Sequence, residues 1–357
     1  MLVPLDSVEI LAIVDNEVDP MSTQPPCITA TGRLGDVALT KGRQVGQERG
    51  GGTGLEGLDP IGGVKPGFEK SVKEVAMEQL CCGAHGLSLM LTAIKAGASQ
   101  ALLFDTAPTE SIFEANTRRL QPSLKDVKHI HLSHWHRDHS GGMLSAVRMI
   151  QDAKGSSLPP VTVDLHPARP DYRGFVTPLG VVSLEADPSF QEIEDVGGKV
   201  VKTNEAHEVL DSHFLVSGEI PRVTVYEDGI RGGLRLENGA WVSDQWIMDE
   251  RFIVCHVKDK GLVLFTGCSH AGVVNAAKHA ITLGSPDGSI PLYAVVGGYH
   301  LADAEPEKIA TTVSDLKALG VKVLIAGHCT GWRAKFEIEK EMPGSLVPSF
   351  VGIKTVI

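Results

Sequence analysis

"LSHWHRDHSGG", residues 132–142, places three histidines and one aspartate within six positions: His134, His136, Asp138 and His139. Desolvating several imidazoles and a carboxylate on one short turn is costly unless something pairs with them. A metal ion, or two, is the simplest partner. His134 and His136, two apart in an extended segment, can aim their rings at one ion. Asp138 and His139 lie beyond a tight turn and can face a second. Paired ions about 3.5–4 Å apart can hold a hydroxide between them and polarise a carbonyl or phosphoryl oxygen.

Working outward, polar residues repeatedly follow apolar runs that read as strands. Asp105 follows "ALLF", the histidine cluster follows "HIHLS", Cys268 and His270 follow "LVLFTG", His300 follows "YAVVGGY" and His328 follows "VLIAG". Strand ends on one side of a sheet can converge on a single crevice. Helical periodicity falls between them, around 108–120, in "GGMLSAVRMIQDAKG", in "AGVVNAAKHAITLG" and in "PEKIATTVSDLKALG", with "VKVLIAG" read as the final strand. Strands alternating with helices in both halves predict an α/β chain with helices packed outside sheets. Residues 41–67 are dense in glycine and read as a long loop, a candidate lid over the site; no Gly-Lys-Ser/Thr follows to make it a phosphate cradle. Residues 155–235, rich in turn formers, read as an inserted or connecting region of a single domain spanning 1–357.

The 357 residues carry 33 basic and 44 acidic side chains, a net charge of −11, with no Lys/Arg tract. That argues against nucleic acid as the ligand and leaves a small-molecule substrate. No apolar stretch is long enough to span a bilayer. The N-terminal apolar run lacks a basic lead and reads as a first strand, not an export signal. Six cysteines without a CxxC pair are then expected to be reduced thiols in a cytoplasmic protein. The oligomeric state is left open, a homodimer being one option. No Gly-x-Ser-x-Gly elbow is present, so serine chemistry is a poor rival.

His134-x-His136-x-Asp138-His139 resembles the signature of the metallo-β-lactamase fold. The resemblance extends over the strand–Asp105 turn, "VLFTGCSHAG" (263–272) and "LIAGHCTG" (324–331), nearly the whole chain. "AHGLSLML", "SGEIPR", "TGCSHAG", "VVGGYHL" and "GHCTG" are most similar to the dihydropterin-synthase-like branch, which also includes fungal enzymes that open lactam or cyclic carbamate rings. The resemblance implies an αββα sandwich: two mixed sheets with helices outside and a dinuclear site at one edge. It implies that His134 and His136 hold one metal, and Asp138, His139 and His328 the other. Two expected ligands differ from the family pattern. "SGEIPR" (217–222) holds no histidine, so His270 is assigned the missing imidazole, and Cys268 stands where a bridging aspartate is expected. Cys268 is read as a packed thiol behind the ligands, with soft ligation as the alternative. The ions are expected to be two divalent metals, zinc first, with iron or manganese as alternatives.

Other residues have lesser roles. Asp105 is expected to orient a ligand histidine through its ring N–H. His300 is a candidate to bind substrate, donate a proton or join the metal shell. His85 and Trp332 are candidates to line the pocket, although Trp332, like Trp135, is read first as ordinary packing. His129 and His131 share a strand face and are read as structural, and His166, His207, His213, His256 and His279 are unassigned.

The expected function is a metal-dependent hydrolase of lactamase or lactonase type, in which a metal-bound hydroxide opens a small cyclic amide, carbamate or lactone. Asp138 would help hold the nucleophile and His300 would protonate the leaving atom. Phosphodiester hydrolysis or a pterin-related synthesis on the same site is the alternative. Non-catalytic metal binding or ligand sensing is a further one, and a redox di-iron site would need a flavin partner.

Overall fold

The computed structural model describes residues 1–25, 29–31, 34–45 and 72–357. Of the glycine-rich stretch, Lys41 closes a short helix and Arg43–Val45 pairs with Val72–Glu74. Residues 46–67, and with them the expected lid, lie outside the described residues.

Two sheets stack face to face. One has eight strands, in the order Lys199–Lys202, Thr162–Leu165, Val127–His131, Ala98–Phe104, Ser88–Lys95, Ser7–Val14, Lys354–Val356, Thr29–Thr31. The other has seven: His207–Val209, Phe214–Val216, Ile253–Val257, Gly261–Thr266, Leu292–Gly297, Val323–Ala326, Leu346–Pro348. A core that includes Val8, Ile10, Leu91 and Phe104 from the first sheet and Phe214, Val263, Phe265 and Ile325 from the second lies between them. Outside the first sheet, Glu110–Leu120 and Met143–Lys154 bury Phe113, Val147 and Ile150. Outside the second, Val273–Gly284, Pro306–Ala318 and Trp332–Glu341 bury Val274, Ala277, Val313 and Ile338. The arrangement is the four-layer αββα sandwich expected from the sequence. Gly261–Thr266 is buried at every position, as a strand covered on both faces must be, and so reads as a continuous apolar run.

The topology builds the crevice. Ala98–Phe104, Val127–His131 and Thr162–Leu165 run parallel, as do Gly261–Thr266, Leu292–Gly297 and Val323–Ala326. Register aligns Phe104 with His131, Thr266 with Gly297, and Gly297 with Ala326. The turns after these strands therefore share one edge. Trp135 is fully buried, its indole N–H donating to the His166 carbonyl at 2.9 Å, so it packs the core as its bland reading had it.

One region differs from the sequence reading, and a second carries the short strands expected in it. "VKVLIAG" is not the last strand: Leu346–Pro348 and Lys354–Val356 follow, the latter pairing antiparallel with Ser7–Val14. Three-residue strands are too short to show periodicity. Residues 155–235 add strands to both large sheets. Tyr172–Thr177, Gly180–Ser183 and Gly233–Glu237 join Ala240–Ser243, beyond that region, in a separate four-stranded antiparallel sheet.

Candidate metal centre

Each donor is delivered by a turn leaving a strand. Asp105, Ser269, His300 and His328 all have left-handed backbone, with φ between 46° and 63°. Non-glycine residues are held in that region at a cost, which surrounding structure must offset, and such strain clusters at functional sites. The turns are also packed against one another. A Cβ on Gly267 would meet Ser133 Oγ at 2.2 Å, and one on Gly327 would meet Asp15 Oδ2 at 2.3 Å. Only glycine permits those approaches.

Three imidazole nitrogens converge. His134 Nε2 lies 2.9 Å from His136 Nδ1 and 3.1 Å from His270 Nε2, and the last two are 3.1 Å apart. Beside them, His139 Nε2, His328 Nε2 and Cys268 Sγ form a second triangle with sides of 3.1, 3.2 and 3.2 Å. Asp138 Oδ2 is 3.3 Å from His328 Nε2 and 3.6 Å from His139 Nε2. His134, Cys268 and His270 form one potential metal-holding group, and Asp138, His139, Cys268 and His328 form the other.

The ring orientations can be worked out from their hydrogen bonds. Ser133 Oγ donates to Asp105 Oδ2 at 2.8 Å and so accepts from His134 Nδ1–H at 2.9 Å, leaving His134 Nε2 bare. His139 Nδ1–H donates to Asp105 Oδ2 at 2.6 Å, so that once the ring is neutral its Nε2 is bare. His328 Nδ1–H donates to Asn16 Oδ1 at 3.0 Å, with the same result, while Asp15 Oδ1 accepts the His328 backbone N–H at 2.7 Å. Bare nitrogens pointed at one another repel, and donors sharing a tetrahedral zinc at about 2.05 Å would lie roughly 3.3 Å apart. The donor sets therefore fit a bound ion each.

Burial and charge set the protons differently in the two sets. Burial holds His134 and His270 well below the usual imidazole range, and His136 down to about 3. Burial also pulls on His139, but the Asp105 and Asp138 carboxylates outweigh it and raise it to about 9. Burial pushes Cys268 up, so without a cation beside it the sulfur stays a thiol.

The structure thus brings together His134, His136, Asp138, His139, His270 and His328, with Asp105 directly behind His139. Cys268, read as lying behind the ligands, has its sulfur in both groups. His300 flanks the imidazole set, its ring centroid 4.5 Å from that of His270. His85 flanks the other set, with Nε2 3.4 Å from Asp138 Oδ2 and its ring 4.9 Å from His328. Trp332 opens a helix just past the His328 turn, is 69% exposed and meets Phe336 edge-on. The sequence reading gave no role to Ser133 or to Glu250, whose carboxylate accepts the His270 and Ala271 backbone N–H groups at 2.7 and 2.6 Å, and it took Asp15-Asn16 only as polar groups that the first strand delivers to one edge. Asp15-Asn16 did carry a signal: it follows an apolar strand as the other clusters do.

Comparison with known proteins agrees with this geometry. The chain is 31% identical over 265 residues to a 7,8-dihydropterin-6-methyl-4-(β-D-ribofuranosyl)-aminobenzene-5′-phosphate synthase of Methanocaldococcus jannaschii, covering 70% of this chain and 82% of that one. It is 30% identical over 125 residues to an uncharacterized protein of the same organism, covering 35% of this chain and 43% of the other. Among solved structures it resembles Tm1679, a metal-dependent hydrolase of the β-lactamase superfamily, with a TM-score of 0.63 at 21% identity over 97% of this chain and 98% of that one. No family model matches the chain. By its identity to the synthase over most of both lengths, the chain belongs to that dihydropterin-related synthase's family, and its fold is the one seen in the β-lactamase-superfamily hydrolase.

Proposed function

We propose that this chain is a metal-dependent hydrolase that opens a small cyclic amide, carbamate or lactone. The observation that carries the reading is the pair of converging donor sets that meet at Cys268. His134, His136 and His270 would hold one ion, Asp138, His139 and His328 the other, with the Cys268 sulfur between them. When bound, the ions, zinc first, supply Lewis acidity that lowers the pKa of a nearby water and polarises a carbonyl oxygen.

The chain's own residues do the rest. Asp105 holds the His139 ring, and Asn16 the His328 ring, so that neither ligand can turn away. The Asp138 side chain is one-fifth exposed and can take a hydrogen bond from the attacking water, orienting it. His300, half-buried beside His270, is placed to give a proton to the leaving nitrogen or oxygen. Trp332 and Phe336 offer an apolar wall to a flat ring.

A second reading, pterin-related synthesis, is supported by the synthase among the relatives. Ring opening of 2-benzoxazolinone, followed as loss of its ultraviolet absorbance, separates the two. Opening by zinc-loaded protein that a chelator abolishes is expected. No opening, alongside turnover of a dihydropterin or of a nitrophenyl phosphodiester, would remove the substrate class.

A further inference from the structure

A second cluster of metal-type donors lies beside the strand that feeds the centre. Asp164 is fully buried and pairs in register with His131 on the neighbouring parallel strand. Its Oδ2 atom lies 3.6 Å from His129 Nε2, 3.7 Å from His131 Nδ1 and 2.9 Å from His207 Nε2. The donor atoms of His129, His131 and Asp164 all fall within 4.8 Å of one another. Arg251 Nη1 occupies the other carboxylate oxygen at 2.9 Å.

Two observations point to a missing cation on the Oδ2 side. His129 Nε2 and both ring nitrogens of His131 are buried with no hydrogen-bond partner among the described residues. Leaving such groups unpaired costs roughly 1–3 kcal/mol each. In addition, His207 Nδ1–H donates to the Glu205 carbonyl at 2.9 Å, so in a neutral ring Nε2 is bare while facing a carboxylate oxygen at 2.9 Å. Such an approach requires either a second proton on the His207 ring or a cation beside it.

We propose that Asp164, His129, His131 and His207 form a further, structural site for a divalent transition metal of the zinc class. His129, His131 and Asp164 form the donor group, and His207, whose Nε2 lies 2.9 Å from the same Oδ2, would complete four donors, which suits a structural role and not turnover. Imidazole nitrogen favours zinc over magnesium or calcium, and the Arg251 guanidinium on the same carboxylate penalises ions held by charge alone. His207 comes from the edge strand of the seven-stranded sheet and Asp164 from the eight-stranded one, so the ion would tie the two sheets together below the catalytic turn. Half-buried His207 gives it a route in from solvent.

The test is zinc content after saturation and desalting, compared between the full chain and its His207→Ala variant. The variant is expected to hold one equivalent fewer. A zinc-edge anomalous difference map of wild-type crystals provides the second measurement, which decides alone if the variant fails to fold. It should show a peak beside Asp164, separate from the His134 cluster. Equal zinc in both proteins, or a map with no peak at Asp164, overturns the proposal and leaves His207 as an imidazolium paired with that carboxylate.

Discussion

The two donor sets of the centre use the same residue type and nearly adjacent positions, yet hold their protons in opposite ways. In the imidazole set, burial outweighs the pull of the nearby Asp138 and Asp249 carboxylates, and His136 falls to about 3. In the acidic set, His139 is fully buried, but Asp105 and Asp138 lift it to about 9, and His328 is raised against burial by Cys329 and Asp138. What separates them is the Asp105 carboxylate behind His139 and the Cys329 sulfur beside His328, since Asp138 acts on both sets. At neutral pH the first set is ready for a metal, whereas the second must release a proton to receive one. The difference teaches that a ligand's residue type does not fix its readiness; what stands behind it does.

The hardest way to break the comparison is to remove a ligand from the imidazole set. His136→Ala should lower turnover by several kcal/mol, roughly 10³-fold, and reduce zinc content, both read on one purified sample. Asp105→Asn comes next. It replaces Oδ2, which accepts from His139 Nδ1–H and Ser133 Oγ–H, with an amide nitrogen that donates, so metal affinity at the acidic set should fall about 10–100-fold while the imidazole set still loads. Zinc titration by calorimetry in two buffers of different ionisation enthalpy sharpens the same point. Binding to the imidazole set should be insensitive to pH from about 5 to 9. Binding to the acidic set should release a proton and tighten as pH rises toward 9, because the group that must deprotonate titrates at about 9. Cys268→Ser should erase a thiolate charge-transfer band from the cobalt-substituted protein; a band that persists would put the sulfur outside the coordination shell. The smallest effect is expected at the exposed rim, where Trp332→Ala should raise KM a few-fold and leave kcat unchanged.

Much of this was legible in the sequence because the ligands follow apolar runs. A strand long enough to be covered on both faces shows as an apolar run, and the polar residue after it is conspicuous, as with Asp105, Cys268, His300 and His328. Not every supporting residue was legible. Ser133 and Glu250 act through hydrogen bonds that no spacing announces, whereas Asp15-Asn16 shares the strand-end signal. The left-handed backbone at His300 and His328 leaves no trace in residue type, since glycine is the usual occupant. The position of the Cys268 sulfur within both donor groups depends on two sheets closing on each other. The Asp164 cluster likewise draws on separate strands that only the fold brings together.

The most direct measurement of the central claim is stepwise zinc reloading of the chelated protein, with ring opening recorded at each equivalent. No turnover in the chelated protein and recovery as zinc is restored is the expected result. Undiminished turnover with no metal present would contradict it.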